Sequence, residues 1–421
     1  MRNIVQCSII FPIVAIGLGA CSTPNVAHQP ASISQPWHPV DETTGQIADV
    51  DGLTALADAF PNSSSVRLRL LNAYVAAEYF ATALSVAERL AGEGYAFSPA
   101  AREYLQGLLP TDAIPQWLAT NGRNSAPIGS GQVVATIPEA ARLPEGLAIL
   151  GEGRFAISTV ISREVWLNDD GNWVTIPTPG AGNLSGIAAK NGGLVVASSD
   201  LGMLPGQSDY HSGLIEVLEH NTSLLIAAPE GIQLSDLAVF RDQTVFASDP
   251  LEGGVYRAGE STSEIETVVA PGTLRSPQGI APSQDGSRLY VSDYRYGLAV
   301  IDLETGVVSR LAADTPMLLD GIDGLWLHGG ELIAIQNGLS PRRIVGLRLS
   351  EDGNRIVSLR VLEQANPEWT EPLGGDINEG ALYYIGNGSW DLFEEGGSLR
   401  EGAELHPTAI RRLELIEKPT D

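Results

Sequence analysis

Apolar and polar positions alternate along most of this chain in short paired runs. Residues 276–293, SPQGIAPSQDGSRLYVSD, show the unit. An apolar strand opens at Ile280 and Ala281, Asp285-Gly286 turns the chain, and Leu289, Tyr290 and Val291 return to Ser292-Asp293. Period-two alternation closed by a dipeptide that tolerates positive φ predicts two antiparallel strands. The unit recurs as PEGLAIL…GRFAIST over 144–159, LSGIAAKNGGLVVASSD over 184–200 and LSDLAVFRDQTVFASD over 234–249. It returns as IDGLWLHGGELIAIQN over 322–337 and GGDINEGALYYIGN over 374–387. Six copies at a period of ~40–50 residues predict an all-β, six-bladed β-propeller, one four-stranded sheet per blade. The ring must close without open edges. We therefore expect QVVATI at 132–137 to complete the last blade beside AIRRLELI at 409–416.

The pattern before residue 130 is different. Residues 51–60 and 65–90 carry apolar side chains at helical spacing, and 100–109 makes a further helix after the break at Gly92, Gly94 and Ser98-Pro99. Leu70, Leu71, Tyr74, Ala83, Ala87 and Leu90 fall where a tetratricopeptide repeat places them; a generic helical hairpin fits the same positions. One such repeat cannot bury its own face, so a small TPR-like α-helical segment packed on one side of the propeller is expected. Residues 111–130 read as a linker from their Pro, Gly and Asn.

The amino terminus changes the compartment. Arg2 precedes an apolar run, residues 9–18, that is too short to span a membrane as a mature helix, and Leu18-Gly19-Ala20-Cys21 resembles a bacterial lipobox. That resemblance implies cleavage before Cys21 and lipidation of Cys21. With Ser22 rather than Asp following, it implies tethering to the outer membrane, facing the periplasm. The expected organisation is a lipoprotein signal peptide at 1–20, a flexible tether at 21–45, the helical segment at 46–110, the linker at 111–130 and the propeller at 131–421. Cys7 leaves with the signal, so no disulfide is expected.

The 51 acids against 25 Lys and Arg give a net charge of −26, which argues against a nucleic-acid partner. No G-x-S-x-G elbow or P-loop occurs, and the six His show no zinc spacing. Candidate chemistry sits instead at the repeats. In a propeller the first strand of each blade starts, and the second ends, on one face near the axis. The strand starts give Glu145, Ser185, Ser235, Gln278, Asp323 and the Gly375-Asp376 step. The strand ends give Thr159, Asp200, Asp249, Asp293, Asn337 and Asn387. Converging carboxylate, amide and hydroxyl oxygens suit a divalent cation such as Ca²⁺. Asp200, Asp249, Asp293, Asn337, Asn387 and Trp390 are candidate ligand-binding residues. The alternatives are turn-capping for the aspartates and blade packing for Trp390.

The repeated sentence, with PEGLAIL first and IDGLWL fifth, resembles the SMP-30/gluconolactonase-like family of six-bladed propellers from Pro144 onward. NHL and strictosidine-synthase-like propellers share much of it. The resemblance implies one divalent metal, Ca²⁺ or Zn²⁺, at the channel mouth, held by a Glu, two Asn and an Asp. Carried over, Glu145 and Asp323 match. Gln278 and Ser235 stand where the two Asn are expected, with Asp236 beside Ser235. It also implies metal-dependent hydrolysis of a small lactone or ester, with Asp323, or a nearby carboxylate, as the proton-accepting catalytic residue. The alternative is a non-catalytic propeller that binds a small polar ligand or a periplasmic protein.

Overall fold

The computed structural model describes residues 35–415, apart from 152, 170, 207–208, 219–220, 261 and 263. The signal segment and Cys21 lie outside them. Six sheets form a six-bladed β-propeller. Its inner strands are Pro144–Ile149, Asn183–Lys190, Leu237–Val239, Pro277–Pro282, Ile322–His328 and Gly375–Asn378. Each neighbours the next around the axis, and the last neighbours the first. Each blade then runs outward by antiparallel hairpins. In the fourth blade, for example, Asp285-Gly286 joins Pro277–Pro282 to Arg288–Asp293, with Gly286 at φ 72°.

Closure takes the expected form. Gln132–Ile137 pairs antiparallel with Thr408–Glu414, so the sixth blade is built from both ends of the propeller sequence. Two blades gain a fifth strand at the rim. Gln35–Pro36 pairs antiparallel with Val308–Arg310, and Ala312–Ala313 pairs parallel with Arg355–Gln364.

The inner strands approach one another closely, and small residues make this possible. A Cβ on Gly146 would lie 2.4 Å from the Ser185 carbonyl oxygen, and one on Gly186 would lie 2.7 Å from that of Ser235. The same approach sets Gly279 against Asp323 (2.7 Å) and Gly374 against Glu145 (2.4 Å). Gly374 therefore occupies in the sixth blade the place that Gly146 holds in the first. This corrects the sequence register. Leu373, buried in the core, takes the strand-start place, and Asp376 sits further along the strand, accepting from Ile149 N.

Six helices precede the propeller among the described residues: α1 (Glu42–Gln46), α2 (Val50–Ala59), α3 (Ser64–Ala76), α4 (Phe80–Gly92), α5 (Pro99–Gln106) and α6 (Ile114–Asn124). The stretch 65–90 is two helices, as a helical hairpin requires, broken at 77–79, where Glu78 takes φ 62°. α6 falls where a linker was expected. Its Pro at the start suits a first turn that needs no N–H, and it buries Trp117 against Phe97. Part of the expected tether is likewise ordered. Trp37 and Val40 are buried, and Asp41 caps α1 in a reciprocal capping box with Thr44.

The helices dock on the fourth and fifth blades. Phe60 packs between Trp37, edge-on at 5.1 Å, and Tyr296, tilted at 4.7 Å. Asp320 of the propeller accepts Ser64 N (2.9 Å) and Ser65 N (2.8 Å), so a carboxylate satisfies the orphan donors at the start of α3. Asn62 donates to Met317 O, and Ala96 and Ser340 exchange two hydrogen bonds.

Candidate functional site

A channel of about 370 Å³ follows the propeller axis, walled by the inner strands. Glu145, Ser185, Ser235, Gln278, Asp323 and Asp376 all line it, as does Asp236. No Lys or Arg is among its described lining residues. The strand-start set thus converges, with Asp376 displaced along the sixth strand.

Asp236 holds an unusual place. The register that sets Gly146, Gly186, Gly279, Gly324 and Gly374 in five blades sets Asp236 in the third. Five blades keep the position free of a side chain, and one fills it with a carboxylate. Burial raises the Asp236 carboxyl from 3.8 to about 7, against a hydrogen bond from Leu237 N to Oδ1 that favours the charged form.

Its neighbours are acids. Burial first, and the charges of Asp236 and Glu371 next, raise the Asp323 carboxyl; the hydrogen bond from Asn337 opposes them. Glu145 rises well above its ordinary value through burial, then through Asp323, Glu371 and Asp236, against a hydrogen bond from Trp390. These side chains touch solvent only through the channel, so each is half-buried by area yet enclosed by protein. Like charges in such a place are relieved by a proton or by a cation.

Each of the two shared candidates is held on one side. Trp390 Nε1 donates to Glu145 Oε2 at 2.7 Å. Asn337 Nδ2 donates to Asp323 Oδ2 (2.9 Å) and to Pro372 O (3.1 Å), while Asn337 Oδ1 accepts from Tyr294 OH (2.8 Å). Among the expected ligand-binding residues, Asn337 and Trp390 therefore reach the site, as orienting groups.

The others point elsewhere. Asp249 is wholly buried and accepts from Gln233 N, Leu251 N and Glu252 N. Asp293 is equally buried and accepts from Arg275 N, Arg295 N and Tyr296 N. Both cap turns instead of facing the channel, which corrects the expected second ring. Asp200 accepts from Gly202 N, and Asn387 donates to Glu368 O. Thr159 exchanges hydrogen bonds with the Glu164 backbone.

Two contributors escaped the sequence reading. Glu371, raised by burial against the pull of Arg342, precedes the sixth copy in EPLGG. Tyr294 follows the strand-end Asp293 and lies outside the repeated sentence.

The donor chemistry fits a hard divalent cation: carboxylate and amide oxygens without a competing cationic side chain. The spacing is open. Among the described residues, no three Asp, Glu, His or Cys groups stand close enough to share one ion.

No protein-family model and no curated protein matches the chain. Solved structures resemble it distantly. A gluconolactonase from Xanthomonas campestris is 18% identical over 61% of this chain and 85% of its own, with a TM-score of 0.44. The calcium-binding protein regucalcin from Agrobacterium tumefaciens is 14% identical over 69% and 97%, with a TM-score of 0.45. An aldose sugar dehydrogenase from Streptomyces coelicolor is 16% identical over 69% and 99%, also at 0.45.

Proposed function

We propose that the channel mouth binds a divalent cation, Ca²⁺ or Zn²⁺, and that the chain hydrolyses a small lactone or ester there. The observation that carries this reading is the trio Glu145, Asp236 and Asp323, enclosed together with no Lys or Arg among the channel's described lining. Glu145 and Asp323 would hold the ion, with the Gln278 amide and Ser235 hydroxyl oxygens as further donors. Once bound, the ion supplies Lewis acidity toward a carbonyl oxygen and toward water.

The chain's own groups do the rest. Asn337 occupies Asp323 Oδ2 and leaves Oδ1 free to take a proton from an attacking water. Trp390 fixes Glu145 in the same way, and Tyr294 fixes Asn337.

The open spacing of the acids favours a second reading, in which the propeller binds a small polar ligand or a periplasmic partner without catalysis. In either case we propose that lipid on Cys21 tethers the chain to the outer membrane, facing the periplasm. Calorimetric titration of Ca²⁺ and Zn²⁺ into the chain, beside the Glu145→Gln/Asp323→Asn double variant, tests the first reading. Binding that the double variant loses, followed by turnover on a panel of lactones, supports it. No binding to the unaltered chain overturns it.

A further inference from the structure

We infer that the cleft between the helical segment and the propeller is a second binding site, for a small carboxylate with a planar aromatic body. The cleft measures about 650 Å³, within the ~300–1,000 Å³ of small-molecule sites. One wall comes from the helical segment through Leu68 and Tyr95, the other from the propeller through Tyr294 and Trp369. Aromatic side chains on both walls, Tyr95 on one and Tyr294 and Trp369 on the other, suit a planar ring.

The charge is what sets this cleft apart. The chain has 51 acids against 25 Lys and Arg, so its field repels anions over most of the surface. Arg295 and Arg342 line this cleft, both exposed, and neither guanidinium is ion-paired with any described carboxylate. Asp320 also lines the cleft, but its oxygens already accept Ser64 N, Ser65 N and Ser64 Oγ. A planar guanidinium matches a carboxylate by two parallel hydrogen bonds. A dianion would meet more repulsion from Asp320 and the nearby Glu371, so a single carboxylate fits best.

The cleft adjoins the channel site. Tyr294 and Asn337 line it, and Asn337 is the residue that holds Asp323. A ligand anchored on the arginines would extend toward the channel mouth. The inference itself needs no cation in the channel and stands apart from the hydrolase reading.

Titration of the full chain with 2-naphthoate and with the neutral 2-naphthamide tests it. The expected result is binding of the acid that weakens with salt, with the amide at least about tenfold weaker. Arg342→Gln and Arg295→Gln should each weaken the acid by about tenfold, Arg342→Lys less, with thermal unfolding confirming intact folds. Glu145→Gln should leave the acid's binding in place. Equal binding of acid and amide, indifference to the arginine substitutions, loss through Glu145→Gln, or no binding of either probe would each overturn the proposal.

Discussion

Replacing Asp236 by Asn removes one charge from the channel and keeps the side chain's shape and its acceptor for Leu237 N. Burial lifts the Asp236 carboxyl from 3.8 to about 7 in the folded chain. The folded state thus holds the proton more tightly than the unfolded one. The sign follows by linkage: the group costs nothing below pH ~4, and its cost grows as pH rises to about 7 and then levels off. Fully expressed, such a rise corresponds to roughly 4 kcal/mol. Contact with water through the channel and relaxation of neighbours reduce this to about 1–3 kcal/mol. Asp236→Asn should therefore be more stable than the parent by about 1–3 kcal/mol at pH 8.5, and equal to it near pH 4. Denaturant unfolding across that range, in chelator, measures the difference. Millimolar Ca²⁺ should then restore the parent at pH 8.5 and leave Asp236→Asn less affected, because an ion that binds only the folded state stabilises it. A difference that does not change with pH would refute the assignment of Asp236 as a channel acid.

Other substitutions probe the frame around the site. Gly146→Ala forces a Cβ to within 2.4 Å of the Ser185 carbonyl, so thermal unfolding should show a loss of about 1–3 kcal/mol. Gly45→Ala, with open space around it in α1, serves as the clash-free control and should gain up to about 1 kcal/mol from helix propensity. Asp320→Ala leaves the buried Ser64 donor and the half-buried Ser65 donor unmet and should cost about 2–3 kcal/mol. Limited proteolysis should then cut within 60–130 while sparing the propeller. Trp390→Phe removes the donor that favours ionised Glu145, so cation affinity at pH 6 should fall several-fold more than at pH 8.

The repeat made the propeller legible, because a blade repeats its hydrophobic alternation whatever its loops do. Closure by residues 132–137 followed from the need to leave no open edge. Glu145, Ser235, Gln278 and Asp323 were readable as channel residues for the same reason. The sixth copy misled: GGDINEG carries the turn and alternation of the others, but the place equivalent to Gly146 is Gly374, which only the approach to the Glu145 carbonyl reveals. The aspartates at strand ends recur for a local reason, since each caps the turn that follows, and a short motif cannot separate capping from converging. Asp236 was readable as a carboxylate beside Ser235, yet its place at the Gly position needed the ring of close contacts. The helix at 114–124 was masked by Pro115, Gly122 and two Asn, although Ile114, Trp117 and Leu118 carry helical spacing.

The way the sixth blade is zipped from both ends orders events during synthesis. The strand 132–137 emerges early and waits until its partner 408–414 has been made. The helices wait as well, because their docking points at Met317, Asp320 and Ser340 come some 200 residues after α6. Buried apolar residues such as Phe60 and Leu71 lack their native covering throughout that interval. A chain truncated before residue 408 therefore holds an exposed edge strand and an open ring, the state most prone to pair with a second nascent copy.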